Sequence, residues 1–421
     1  MTQPVSDQID LSHTFSSRTE RMRSSEIRDF LKLVGQPGII SFAGGLPDPA
    51  LFPAERLQTA AAEIMADPAR RNLALQYGPT EGYRPLREWV AEYMTRLGVP
   101  CTVENIILTT GSQQAIDLVG RIFVDPGDTI VTTAPSYLGA LQSLDVYEPH
   151  WATIDLASGD ITGNRVPDLA YVVPDFANPS GETMPQEQRE RLLDMVHRFD
   201  IPLLEDAAYH ALRFEGEAVP SLQALDVART GSIDWSRVIF AGTFSKTIAP
   251  GLRTGWVCAA QPIISKLVMA RQACDLHGSL LDQMLVYAVA ENGYDAQVAS
   301  LLPVYRHRRD VMQAALLRHM PEGVNWTFPA GGMFFWLTLP ETLDSVALVR
   351  EAIATEGIIF VPGTSFHRDG GGHQNLRLNY TLSDDATIED GIARLGALFA
   401  RHLAQSTTIQ EADLVGLATG G

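Results

Sequence analysis

From about residue 84 the chain alternates between two textures. Short apolar runs at Ile106–Thr110, Asp128–Thr133, Leu169–Val173, Pro202–Glu205, Val238–Ala241 and Gly255–Cys258 predict buried strands. Between them, Pro85–Leu97, Gln113–Val124, Leu138–Asp145 and Gln186–Phe199 carry apolar residues at helical spacing. Strands alternating with helices predict an α/β fold with a mostly parallel central sheet. Upstream, Ala54–Ala66 reads as a helix. Another is expected at Ser25–Val34, capped by Ser24 or Ser25 and ended by Gly35 and Pro37. After about residue 300 the helices lengthen (Val304–His319, Leu343–Glu356, Ile388–Leu403) and flank strands at Gly332–Leu339, Ile358–Val361 and Leu376–Tyr380. That predicts a smaller C-terminal α/β domain. The expected division is an arm and helix at 1–50, a large domain at 51–300, a small domain at 301–405 and a flexible tail at 406–421.

Composition narrows the class. The chain has 421 residues, 45% hydrophobic and 19% charged, which argues against disorder. Its net charge of −18 disfavours a nucleic-acid partner. No uncharged apolar run is long enough to span a bilayer, and Met1–Asp10 lacks the apolar core of a signal peptide. Three scattered cysteines form no disulfide framework, which suits a reducing compartment. A cytoplasmic protein without a membrane partner is expected. Only three lysines occur among 32 basic residues: Lys32, Lys246 and Lys266. Lys246, set among small residues and turn formers, invites a chemical explanation.

Five short stretches carry candidate chemistry. Gly242–Gly255 follows a strand and contains Ser245, Lys246 and Arg253. A desolvated lysine offers a neutral amine for a Schiff base, and an arginine beside a hydroxyl suits a phosphate. A solvated loop is the plain alternative. Glu205-Asp206-Ala207-Ala208-Tyr209 follows a strand where α/β sheets bind ligands, although a helix cap would look similar. Gly111-Ser112-Gln113-Gln114 opens a helix and is a candidate anion cradle. Asn178-Pro179 offers a fixed amide or an ordinary turn. Arg377 in a short alternating strand suits a bidentate carboxylate guest or an internal ion pair. His367 and His373 lack metal-ligand spacing, so no metal site is expected.

The order of these stretches over residues 20 to 400 resembles the pyridoxal-phosphate aminotransferases of fold type I. Ser41–Pro47, Gln76–Tyr83, Gly111–Gln114, Pro135-Ser136-Tyr137 and Gly331–Phe334 are similar to the 2-aminoadipate/kynurenine branch. The resemblance implies a transaminase that moves an amino group from an L-amino acid of 2-aminoadipate, aromatic or branched-chain type to a 2-oxo acid, with 2-oxoglutarate as the expected acceptor. It implies pyridoxal 5'-phosphate as cofactor. Lys246 would form the Schiff base and shuttle the proton. Asp206 would keep the pyridine nitrogen protonated, and Asn178 and Tyr209 would bond the cofactor's phenolic oxygen. Ser112, Gln113, Ser245 and Arg253 would hold the phosphate, with Tyr137 stacked on the ring. Tyr77 would reach the neighbouring subunit's phosphate, which requires a homodimer or a higher oligomer. Arg377 would bind the α-carboxylate, and Gly45 would let the backbone approach the substrate. The N-terminal helix would close over the site, with Arg21, or secondarily Arg23, reading a distal carboxylate. A solvated helix start is the alternative for both arginines.

Two departures bear on the pocket. Ala207 stands where the branch often has a second Asp, and His210 where it often has an Arg, so a reshaped substrate pocket is expected. Two competing functions remain. One is another reaction of the same cofactor, such as a β-lyase. The other is a non-catalytic regulatory domain on the same fold; those carry a DNA-binding unit before it, and here only a short polar stretch precedes the first expected helix.

Overall fold

The computed structural model describes residues 11–22, 36, 38–163 and 165–419, with residues 12 and 406–419 as backbone only. Its centre is a seven-stranded sheet. In spatial order the strands are Ile106–Thr109, Gly255–Cys258, Val238–Thr243, Leu203–Asp206, Leu169–Val172, Thr129–Thr132 and His150–Thr153. Neighbours are parallel except around Gly255–Cys258, which opposes both its partners. Side chains alternate between two faces: Ile106 and Leu108 enter one apolar cluster, Ile107 the other. Helices Arg84–Arg96 and Leu280–Ala290 cover the first face; Ser112–Phe123 and Gln261–Gln272 cover the second. With both faces covered, these strands read as unbroken apolar runs rather than alternating ones.

The C-terminal unit is a four-stranded antiparallel sheet ordered Val361–Pro362, Asn375–Asn379, Phe334–Thr338, Asn325–Trp326. It packs with helices Tyr294–His319 and Asp385–Thr419. The N-terminal arm belongs with this unit. Ile40–Ser41 pairs in parallel with Ile358–Ile359, and Phe42 enters the same core as Leu395 and Phe399.

Several elements differ from expectation. The helix expected at Val304 begins at Tyr294 and carries Pro303 inside it. The last helix, expected at Ile388–Leu403, runs Asp385–Thr419. Leu343–Glu356 resolves into an α-helix, Ser345–Glu351, followed by π-helical Ala352–Glu356. Helices Pro68–Leu75, Leu222–Thr230, Gln261–Gln272 and Leu280–Ala290 were not anticipated. The helix expected at 25–34 lies outside the described residues.

Candidate active site

Parallel strands bring their C-terminal ends to one edge, and the candidate residues collect there. Asp206 is the last residue of its strand. Thr243 ends the next strand, and Ser245 and Lys246 follow at once. The loops after Leu169–Val172 and Thr129–Thr132 carry Asn178 and Tyr137. Ile106–Thr109 leads through Gly111 into the helix Ser112–Phe123.

Two cavities meet at this edge. The smaller, about 250 Å3, is lined by Ser112, Gln113, Tyr137, Asp206, Tyr209, Ser245, Lys246 and Arg253. The larger, about 470 Å3, shares Gln113, Tyr137, Tyr209 and Lys246 and adds Gly45, Asn178, Arg377, Phe366 and one face of the helix Leu138–Asp145. Lys246 therefore stands between two bays.

Electrostatics give each bay a character. Lys246 Nζ donates to Gly45 O at 2.8 Å. Burial, then Arg377 and Arg253, pull its pKa down to about 8, against a smaller upward pull from Asp206. Asp206 Oδ2 accepts from Tyr171 Oη at 2.9 Å, while Oδ1 is buried with no partner among the described residues. Burial raises this carboxyl to about 6. Tyr209 Oη accepts from Asn178 Nδ2 at 3.3 Å, and burial pushes the phenol well up. Arg377 Nη1 donates to Asn178 Oδ1 at 2.5 Å and Nη2 to Ala43 O at 2.6 Å, leaving Nε unpartnered. The guanidinium lies 4.2 Å from the Phe334 ring centroid, and burial pulls it down to about 10, so it stays charged at neutral pH.

At the opposite pole the helix Ser112–Phe123 begins at the wall of the smaller bay, which Ser112 and Gln113 line. Gly111 precedes it at φ +80°, and a Cβ there would come within 2.6 Å of the Arg253 guanidinium. With the Ser245 and Ser112 hydroxyls, this gathers donors suited to a dianion on one wall of the bay.

Eleven of the expected positions thus line the two bays; the others do not. Tyr77 is 78% exposed and meets His277 edge-on at 5.9 Å. Arg21 lines neither bay; its guanidinium lies 3.9 Å from Asp145 Oδ1. Arg23 lies outside the described residues. His210, at one of the departures from the family pattern, is held by its own partners. It turns away from both bays, its Nδ1 2.6 Å from Ala207 O and its Nε2 2.6 Å from Tyr93 Oη, and Ala207 likewise lines neither. Tyr171, Gln142, Ser143 and Phe366 were missed. Tyr171 reads as an ordinary apolar strand position, and the other three sit in stretches whose pattern signals only a helix or a loop.

The family model for aminotransferase class I and II matches residues 45–395. The chain is 42% identical over 401 residues to the 2-aminoadipate transaminase of Thermus thermophilus, covering 93% of this chain and 98% of that one. It is 41% identical over 404 residues to aromatic-amino-acid aminotransferase 1 of Thermococcus litoralis, covering 92% and 94%. The structure of LysN, the alpha-aminoadipate aminotransferase of Thermus thermophilus complexed with N-(5'-phosphopyridoxyl)-L-leucine, superposes with a TM-score of 0.86 at 39% identity, covering 94% of this chain and all of that one.

Proposed function

The chain belongs to the class I and II aminotransferases and transfers an amino group between an amino acid and a 2-oxo acid; on that premise we propose how its own residues do so. The family depends on pyridoxal phosphate, and the donor set here fits that group. The unpartnered Asp206 Oδ1 suits a protonated ring nitrogen, and Asn178 with Tyr209 suits a phenolic oxygen. The helix start with Ser112, Gln113, Ser245 and Arg253 suits the phosphate, and Tyr137 the ring face. When bound, the group supplies an electron sink for the pair left by a departing Cα proton.

The protein's part is positioning and proton transfer. Arg377, one donor of which is set by Asn178, takes the α-carboxylate in the larger bay and fixes the orientation of Cα. Lys246 Nζ, uncharged once its proton is lost near pH 8, is the base that would take and hold the Cα proton. The buried walls of Tyr209, Phe366 and Phe334 keep water from competing. The donor is an L-amino acid of 2-aminoadipate, aromatic or branched-chain type, and the acceptor is 2-oxoglutarate. The working unit is a homodimer in the cytoplasm. Exposed Leu73, Leu75, Tyr77 and Leu276 support an apolar contact between two copies, through which Tyr77 of one would reach the other's phosphate site.

One observation carries this reading: a buried lysine amine with a lowered pKa shares a cavity with an unpartnered buried carboxylate oxygen. Borohydride treatment of the protein loaded with pyridoxal phosphate, followed by peptide mapping, tests it. The tag falls on Lys246. A tag on Lys32 or Lys266 overturns the assignment. Mixing the loaded protein with amino acid alone separates transamination, which stops after one turnover, from a β-lyase, which continues.

A further inference from the structure

We infer that Gln142 and Ser143 form the subsite for the amino donor's side chain, and that it favours side chains bearing a hydrogen-bonding group, such as an amide, aryl ketone or phenol, over wholly apolar ones. This rests on the transaminase reading above and on the assignment of Arg377 and Lys246 to the groups that every amino acid shares.

The helix Leu138–Asp145 turns two adjacent rows into the larger bay: Leu138 with Gln142, and Gly139 with Ser143, each pair one turn apart. Its other side, Ala140, Leu141 and Leu144, is buried, so the helix cannot roll. Gly139 lets the helix approach this closely, since a Cβ there would come within 2.5 Å of the Tyr137 ring.

The polar groups of that bay divide into engaged and free. Gln113 Nε2 donates to Gly139 O at 2.8 Å, Asn178 is bonded through both ends of its amide, and Lys246 and two Arg377 nitrogens bond backbone carbonyls or Asn178. Among the described residues, the Gln142 amide and Ser143 hydroxyl have no partner.

The cations of the bay are already assigned. Lys246 and Arg377 are the only charged side chains lining the bay among the described residues, and both are committed to the amine and α-carboxylate. Asp145, which ends the same helix, draws Arg368 to 2.8 Å and Arg21 to 3.9 Å, away from the bay. A wholly apolar side chain would leave the Gln142 amide unanswered. Leu138 and Phe366 receive the stem; Gln142 and Ser143 receive its polar end.

The test uses the full chain loaded with pyridoxal phosphate in single-turnover half-reactions. Glutamine, kynurenine and tyrosine are compared with norleucine and phenylalanine, for wild type, Gln142→Leu and Ser143→Ala. Gln142→Leu lowers the efficiency toward the three polar donors by about 10- to 100-fold and leaves the two apolar donors within about twofold. Ser143→Ala, a smaller change at a half-exposed position, shows the same bias more weakly. Equal losses for both donor sets, or no loss in either variant, overturn the subsite. A wild-type protein that converts none of the five overturns the transaminase reading itself, and the subsite with it.

Discussion

Arg377 and Asn178 share a 2.5 Å hydrogen bond, and the other end of the same amide reaches Tyr209 at 3.3 Å. One small side chain therefore sets both a buried cation and a buried phenol. Asn178→Ala is expected to weaken donor binding and coenzyme binding together, each by about tenfold, because two buried polar groups lose a partner at once. Arg377→Lys is expected to lower kcat/KM by at least about 100-fold, since a point charge cannot replace a planar fork. Steady-state kinetics and a coenzyme titration check both.

Lys246 gives a pH signature. Burial, Arg377 and Arg253 hold its amine near pKa 8, so the reactive neutral form accumulates as pH rises through about 8. The rate of coenzyme uptake by coenzyme-free protein should rise with pH and level off above that value. Arg377→Gln removes a cation that favours the neutral amine, so it moves the inflection upward. Stopped-flow absorbance across the range measures both; a flat profile contradicts the assignment.

Asp206 opposes stability to function. Its folded pKa is raised from 3.8 to about 6 by burial, so ionising it costs the fold free energy. That cost is absent below pH 3.8, grows as pH climbs through 6 and is complete at neutrality, where about two pKa units correspond to about 3 kcal/mol. Asp206→Asn should therefore raise the Tm of coenzyme-free protein at pH 7. The gain should vanish toward pH 4, and transamination should fall by at least about 1000-fold. Calorimetry of both proteins at the two pH values decides the point.

His210 sits beneath the turn that joins Asp206 to Tyr209. A carbonyl only accepts, so Nδ1 carries the proton toward Ala207 O, and Nε2 accepts from Tyr93 Oη. Burial lowers the imidazole's pKa and keeps it neutral. Tyr93→Phe should cost about 1–3 kcal/mol, because a buried acceptor loses its donor. Donor KM should not move, as neither residue touches the larger bay. Denaturant titration paired with KM values tests the split.

The positions of most central strands, and the side chains that gather at their C-terminal edge, were legible, because both leave local marks. A fully buried strand is a short apolar run, and a reactive lysine is conspicuous in a chain that otherwise uses arginine. Partnerships across the sheet were not legible. Tyr171 looks like any core aromatic, and only the parallel pairing of Tyr171 with Leu204 brings its hydroxyl beside Asp206. The helix expected from Val304 starts ten residues earlier, and buried Tyr294, Leu301 and Tyr305 carry it through Pro303. The helix Gln261–Gln272 buries only Ile264, Leu267 and Arg271 and shows little amphipathic pattern. Arg21 and His210 were assigned by position in the chain, and position does not reveal that Asp145 and Tyr93 are their partners.

Ala43 and Gly45 each lend a backbone carbonyl to a cation of the site, one to Arg377 and the other to Lys246. A peptide oxygen is neutral, so a true carboxylate outcompetes it at the guanidinium, whereas an alkylamine lacking the acid brings nothing to displace it with. This short piece of main chain thereby sets a threshold at the guanidinium that an acid, whether amino acid or 2-oxo acid, is equipped to cross and a simple amine is not.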